Sequence, residues 1–570
     1  MNTGAGTAMI KTSHGQNVRR VLMGWVFAAS ALLAVGALSA EDAPSPGAVR
    51  QSVQPQRPVT PKAPEQTQSE KPVADPLAGV PEGGTRIRIN RFEITGNKIV
   101  PLAELHALVA SYEGSDLTLF QIYELADGIT RYYRNKGYTV ASCNVPEQRI
   151  SSGVVRLEII EGVIGEVRIE GNKWYRTNTL LSGIDQIETG TVLTEDALRK
   201  QLDPLNELPG LRAQAVIQPG SNYGESAVVF RVTEDPISGA VRFNNHGRKS
   251  IGELRFEGDL ALNSVYGFGE RFDLSVVQAE ENLLNYVSAG FSLPMPGNLR
   301  TRFATYYSHY DYRIAGKAGA TLGLNGSGEN YGLSANHRAT RGDATLTWGI
   351  GFDRTTTTLV TGPLLSEHRF LNLLQASASY SRSHGSDAFT FLNGTISSNF
   401  RSNHRDPVTL QPENDAQAFK VRFDLGHYRK LTENWLLLFR ATAVGSIQPL
   451  VDTEQFRIGG PDSVRADASS EIGGDYGFAF SFEVQRPIPW FPVVPARFSL
   501  FTDFGKVYRY EAALLKEAKS DTISGVGSGL ELRVFDNATI NIAVARRLGT
   551  RRAVDGRDDY RIWAGMNVNF

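Results

Sequence analysis

Residues able to do chemistry are few and scattered in this 570-residue chain. Its nine His include no His-x-x-x-His pair, and no Gly-x-Ser-x-Gly elbow occurs, so neither a metal-binding helix nor a hydrolase nucleophile has support. Gly525-Val526-Gly527-Ser528-Gly529 lacks the Lys-Ser/Thr of a phosphate loop and reads as glycine within a strand. Cys143 stands alone, which rules out an internal disulfide and suits a small buried thiol. No catalytic residue, cofactor or metal site is expected. One charged group stands out by position. Along Arg497–Asp503, strand parity puts Phe498, Leu500 and Thr502 on one face and Arg497, Ser499, Phe501 and Asp503 on the other. A carboxylate in that row needs water or a cation, and a guanidinium matches it bidentately.

The elements that position Asp503 follow from the same alternation. From Ile237 onward, apolar and polar residues alternate with turns roughly every ten residues. Leu254, Phe256, Gly258, Leu260 and Leu262 oppose Arg255, Glu257 and Asp259. Phe419, Val421, Phe423 and Leu425 oppose Lys420, Arg422 and Asp424, and Phe478, Phe480, Phe482 and Val484 oppose Ala479, Ser481, Glu483 and Gln485. The pattern runs to the last residue, where Tyr560, Ile562, Ala564, Met566, Val568 and Phe570 form one row and Arg561, Trp563, Gly565, Asn567 and Asn569 the other. An apolar outer face around a polar lumen is what a closed transmembrane barrel requires. Residues 237–570, at roughly 20 per strand with its connection, predict an antiparallel β-barrel of about 16 strands.

Upstream lie four shorter regions. Residues 1–40 carry Arg19-Arg20, an apolar run over Val21–Leu38, then Ser39 and Ala40, the pattern of a cleaved export signal. Residues 41–84 hold nine prolines and read as a semi-extended linker, with Gly47–Val53 the only short helix candidate. Residues 85–162 and 163–236 are two units of related pattern, strand, helices, then two strands. Val167-Arg168-Ile169-Glu170-Gly171-Asn172 echoes Phe92-Glu93-Ile94-Thr95-Gly96-Asn97, and Val192-Leu193-Thr194 echoes Asp116-Leu117-Thr118. The spacing predicts one strand over Ile87–Ile94, a strand over Tyr138–Ser142 and a helix over Glu195–Leu202 ended by Pro204. Fifty-nine basic residues against 60 acidic, net charge -1, give no basis for nucleic-acid binding.

The first unit resembles the POTRA domain of the haemolysin secretion/activation family, the outer-membrane transporters of two-partner secretion. Phe92–Asn97, Ile129-Thr130-Arg131-Tyr132-Tyr133, Gly137-Tyr138, Pro146-Glu147-Gln148 and Ile160-Glu161-Gly162 carry the likeness. In the barrel, Ile458-Gly459-Gly460-Pro461-Asp462-Ser463-Val464-Arg465 is similar to the family's lumen-folded sixth loop. Phe501-Thr502-Asp503-Phe504-Gly505 is similar to its Phe-x-Asp-x-Gly strand. The resemblance implies that Arg465 faces Asp503, although Ala466 and Asp467 stand where the family has Gly and an aromatic, which makes Asp467 a rival partner. It also implies periplasmic POTRA units below an outer-membrane pore that exports a large partner exoprotein, an adhesin or haemolysin. Contacts with outer-membrane lipid are expected, and with the barrel-assembly machinery through a C-terminal strand whose signal is Phe570. A barrel-assembly factor is the alternative, followed by a porin or outer-membrane enzyme.

Overall fold

The computed structural model describes residues 44–53, 84–150, 152–184, 189–316, 323–361, 365–402, 404–405, 412–413, 419–488, 494–510, 518–549, 551, 553–556 and 559–570. The expected export signal and most of the proline-rich segment lie outside the described residues.

Two small α+β units come first. In one, the strand Arg91–Thr95 runs parallel to Val154–Ile160, which also pairs antiparallel with Ser142–Asn144. The helix Leu119–Asn135 covers this sheet because Ile122, Ala126, Ile129 and Tyr133 fall on one face and bury against Val155, Leu157 and Ile159. Thr118 starts that helix through a reciprocal capping box with Gln121. In the other unit, Val163–Glu170 runs parallel to Glu225–Glu234, which pairs antiparallel with Leu211–Pro219.

The sequence echo between the units has a mechanical cause. Gly96 and Gly171 both take positive φ, and a Cβ at either would lie within 2.4 Å of a backbone oxygen of the neighbouring strand. Asn97 and Asn172 each donate to the carbonyl three residues on, closing the turn. A carboxylate then clasps the exposed N–H groups: Glu161 accepts from Lys98 and Ile99, and Glu234 from Lys173, Trp174 and Tyr175. Glu161 is the acid of the Ile-Glu-Gly motif and also accepts from the Tyr133 hydroxyl.

Three local expectations change. The Ile87–Ile94 strand is broken: Ile87–Arg88 pairs with Asp116–Leu117 while Arg91–Thr95 joins the main sheet. The strand expected at Tyr138–Ser142 is only Ser142–Asn144, because Gly137 and Tyr138 still bond back to the end of the preceding helix. The helix from Glu195 runs through Pro204 to Asn206. The proline leaves the Lys200 carbonyl without its helical donor, and Arg300 donates to that oxygen instead.

The remaining chain closes into a barrel of sixteen strands. They are β1 Ile237–Asn244, β2 Arg255–Asn263, β3 Arg271–Ala279, β4 Leu284–Met295, β5 Asn298–Arg313, β6 Asn325–Arg341, β7 Ala344–Thr361 and β8 Leu365–His384. They continue as β9 Ala388–Ser402, β10 Phe419–Thr432, β11 Trp435–Ser446, β12 Tyr476–Ile488, β13 Ala496–Tyr508, β14 Ser520–Phe535, β15 Ala538–Arg547 and β16 Tyr560–Asn569. Every neighbouring pair is antiparallel, and β16 returns to β1. The outer face carries uncovered large apolar side chains, among them Leu346, Trp348, Ile350, Leu500, Ile542 and Ile562. Ile350 is 70% exposed, a surface that water would penalise and lipid accepts. Inward rows are polar and paired, as where Arg242 meets Glu257 and Asp259. Among the described residues no helix is long and apolar enough to cross a membrane.

The second α+β unit seats against the near rim of the barrel. Leu299 of β5 enters its core, Glu207 pairs with Arg338 of β6 at 2.9 Å, and Arg176 stacks on Phe268.

Candidate functional site

The connection between β11 and β12 turns into the barrel. Phe456–Ile458 pairs with Ile472–Gly474 as a short stalk, and Phe456, Ile458, Val464 and Ile472 pack against the inward side chains Ala479, Val507 and Ile523. At the tip, Gly459 and Gly460 have φ of +113° and +104°, and a Cβ on either would strike Ala468 or Ser469. Only glycine fits this turn.

Arg465 lands on the wall. Its Nε and Nη2 donate to the two oxygens of Asp503 at 2.9 and 2.8 Å, and its backbone N–H donates to the same carboxylate at 3.0 Å. Nη1 donates to Glu483 at 2.5 Å and Nη2 to the Ser481 hydroxyl at 3.0 Å. The guanidinium carbon lies 3.3 Å from the Phe501 ring centroid, a cation over an aromatic face. Arg465, Asp503 and Glu483 are all buried, so a guanidinium with five donors is what this site requires.

The other motif residues are accounted for by packing. Val464 is fully buried in the stalk cluster. A Cβ at Gly505 would come within 2.4 Å of Ile458, so the glycine makes room for the stalk. Gly525 and Gly527 of β14 form a flat track: the Ala466 methyl lies over the first and the Phe501 ring over the second. Asp467 pairs with Arg547 of β15, Nε to Oδ1 at 2.7 Å, and not with Arg465. Phe570 exchanges backbone hydrogen bonds with Gly239 of β1, and its exposed ring lies across that glycine.

A second object shares the lumen. The helix α1, Pro46–Val53, stands between loop residues 452–454 and the wall. Asp452 accepts from the Gly47 N–H, and Glu454 accepts from Arg50 at 2.7 Å and also from Lys420 of β10. Arg255 of β2 donates to the Ser52 carbonyl at 2.6 Å. Val49 buries against Ile251, Leu284, Tyr310 and Tyr312. The helix falls on the short candidate at Gly47–Val53, while its partners lie some 200 to 400 residues away and have no signal in the sequence. Glu483 was visible only as a member of the polar row of its strand. Its meeting with Arg465 follows from the register Ser481 to Asp503. Among the described residues no cluster of ligands is suited to a metal ion.

Comparison with known proteins agrees with this architecture. Residues 224–532 match the family described as haemolysin secretion/activation protein ShlB/FhaC/HecB, and residues 87–162 match the POTRA domain of ShlB type. The heme/hemopexin transporter protein HuxB of Haemophilus influenzae is 24% identical over 488 residues, 83% of this chain and 85% of that protein. The outer membrane transporter CdiB of Dickeya dadantii is 25% identical over 436 residues, 75% of this chain and 76% of that one. Among solved structures, CdiB from Escherichia coli superposes with a TM-score of 0.62 at 20% identity, covering 99% of this chain and all of that one. BamA from Haemophilus ducreyi lacking POTRA domains 1–3 superposes with a TM-score of 0.55 at 14% identity, covering 85% of this chain and all of that one. At these identities the structural matches speak for the fold.

Proposed function

This chain belongs to the haemolysin secretion/activation family, and on that premise we propose that Arg465 and Asp503 hold its resting pore closed by pinning the lumen loop to the wall. The chain is an outer-membrane transporter of two-partner secretion, with its POTRA units in the periplasm and a secreted exoprotein as partner. The client would enter through the POTRA units by adding extended segments, through backbone hydrogen bonds, to the edge strands Arg91–Thr95 and Val163–Glu170, the second already bridged to residues 190–192 at Val163 and Ile164. The bidentate, buried Arg465–Asp503 contact carries the reading, because a loop so anchored blocks the path until it is displaced. The helix α1 occupies the same lumen and has to leave as well. No chemical step by this chain is needed for such transport. The apolar outer face would meet outer-membrane lipid, and the strand ending at Phe570 would be the handle for the barrel-assembly machinery.

The test is export. Deleting the gene should strand one large protein inside the cell, visible by comparing culture supernatants and cell fractions by mass spectrometry, while other outer-membrane barrels keep their levels. A general loss of barrels would instead identify an assembly factor. R465D and D503R should each unlatch the resting pore, seen as raised ion conductance in planar bilayers, and with it lose ordered export. The simple swap R465D/D503R should restore it only in part, because Asp at 465 would face Glu483, and adding E483Q should raise export further. Equal loss in the singles and in the triple variant would sink the anchoring role.

A further inference from the structure

The loop tip reaches past its own wall to the place where the barrel closes. β16 and β1 pair over only Gly565–Asn569 and Ala240–Asn244, with added bonds from Gly239 to Phe570 and from Asn245 to Ala564. The residues that follow Arg465 grip both sides of this seam. On the last-strand side, the Arg465 carbonyl accepts from Trp563 Nε1 of β16 at 2.7 Å, and Asp467 accepts from Arg547 at the end of β15 at 2.7 Å. Glu471 accepts from the Val554 N–H at 2.8 Å in the β15–β16 connection. On the first-strand side, the Ser469 hydroxyl donates to the His246 carbonyl at 2.7 Å, and Arg248 donates to the Ser470 carbonyl at 3.3 Å. The His246 and Trp563 rings meet edge-to-face at 5.7 Å across the gap. Asp467, Arg547, Ser469, Ser470 and Trp563 are all buried.

We infer that residues 465–471 staple the seam from inside, with Asp467 and Arg547 as the positioning pair, so that loop release and weakening of the β1–β16 closure are one coupled event. Few backbone bonds hold this junction; the Asn245 side chain extends it by donating to the Ile562 carbonyl and accepting from the Ala564 N–H, and a loop from the middle of the barrel braces it from inside. Pulling the tip away leaves Arg547 buried without its carboxylate and strips two partners from the β1–β2 connection, so the closed seam loses its support together with the loop. Coupling of this kind is reciprocal: whatever holds the seam must also hold the loop. The staple holds whichever client is exported.

Hydrogen exchange on the full chain in detergent micelles reads the coupling. D467N should raise exchange of the seam peptides 237–245 and 560–570 by about tenfold or more while leaving 344–361 unchanged. An unchanged seam, or an equal rise everywhere in the barrel, would overturn the staple. Should the variant not fold, the reciprocal experiment leaves the staple intact. Val241 and Val568 are partners across the seam, and V241C/V568C closes it covalently when oxidised. Oxidation should slow exchange in residues 465–471 several-fold relative to the reduced form, and identical exchange in the two forms would refute the coupling.

Discussion

The wall at β7–β8 and the seam at β1–β16 are parts of one sheet held together in opposite ways. Ala344–Thr361 pairs with Leu365–Arg382 through eighteen consecutive residues, and no lumen object is needed to explain its closure. The seam pairs five residues and is backed by a loop and by the ring contact of His246 with Trp563. Backbone ladders are sequence-tolerant and hard to open at one point, whereas a junction supported by a few buried side chains can be released by moving them. One barrel thus combines a wall that stays shut in lipid with a junction whose strength depends on what fills the lumen.

Substitutions on each side should separate these two supports. The largest effect is expected for E454Q. Glu454 is buried between Arg50 of α1 and Lys420 of β10, so neutralising it leaves two cations short of a carboxylate, at a cost of about 3–5 kcal/mol. The helix should leave the lumen, seen as increased ion conductance in planar bilayers, with the β7–β8 wall intact. Unchanged conductance would mean that α1 is held by its apolar contacts around Val49. Next comes I350R on the lipid face of β7, where a cation in the hydrocarbon region costs about 2–4 kcal/mol. Urea unfolding in micelles should shift, while conductance of the folded barrel stays at its original level. A rise in conductance would show that the far wall and the lumen are not independent.

G525V acts on the loop from the wall side. Its Cβ would fall 2.4 Å from the Ala466 methyl, which has no rotamer by which to retreat, so the tip has to lift at a cost of about 1–3 kcal/mol. The same Cβ meets the Arg546 carbonyl of β15 at 3.0 Å, a smaller squeeze that valine's preference for strands partly offsets. Protease accessibility of the loop should increase without loss of the folded barrel, and a loop as protected as before would show that the tip is not seated on that track.

How much of this was legible beforehand depended on the distance over which each feature is encoded. Strand parity is a period of two, so the apolar outer rows and the inward placing of Asp503 could be read from neighbouring residues, as could the Gly-Asn turns of the two POTRA units. The Arg465 to Asp503 contact spans 38 positions and was reached only through resemblance to a family motif. The sharing of Arg465 with Glu483 needs the register of β12 on β13, and the Asp467 to Arg547 pair needs the barrel closed. Pro204 misled for a related reason: a local rule ended the helix, and a residue of β5 some hundred positions on satisfied the carbonyl it freed.

Cys143 offers the smallest expected effect and the control for the rest. It sits in the first POTRA unit, on the short strand Ser142–Asn144, and burial pushes its thiol up to about 12. A thiol that is neutral and covered at pH 8 reacts slowly with maleimide, while the unfolded chain, whose thiol titrates near its ordinary value, reacts at once. The folded pKa is the higher one, so this contribution to stability is fully present below the unfolded pKa and is lost as pH rises from there towards 12. Labelling at pH 8 should therefore stay negligible in E454Q, G525V and D467N alike, because the POTRA core of Ile122, Ile129, Val155 and Leu157 closes without the barrel. Rapid labelling in any of them would mean that opening the lumen had unfolded the arm as well, and the contrast between seam and wall would then be one of global stability.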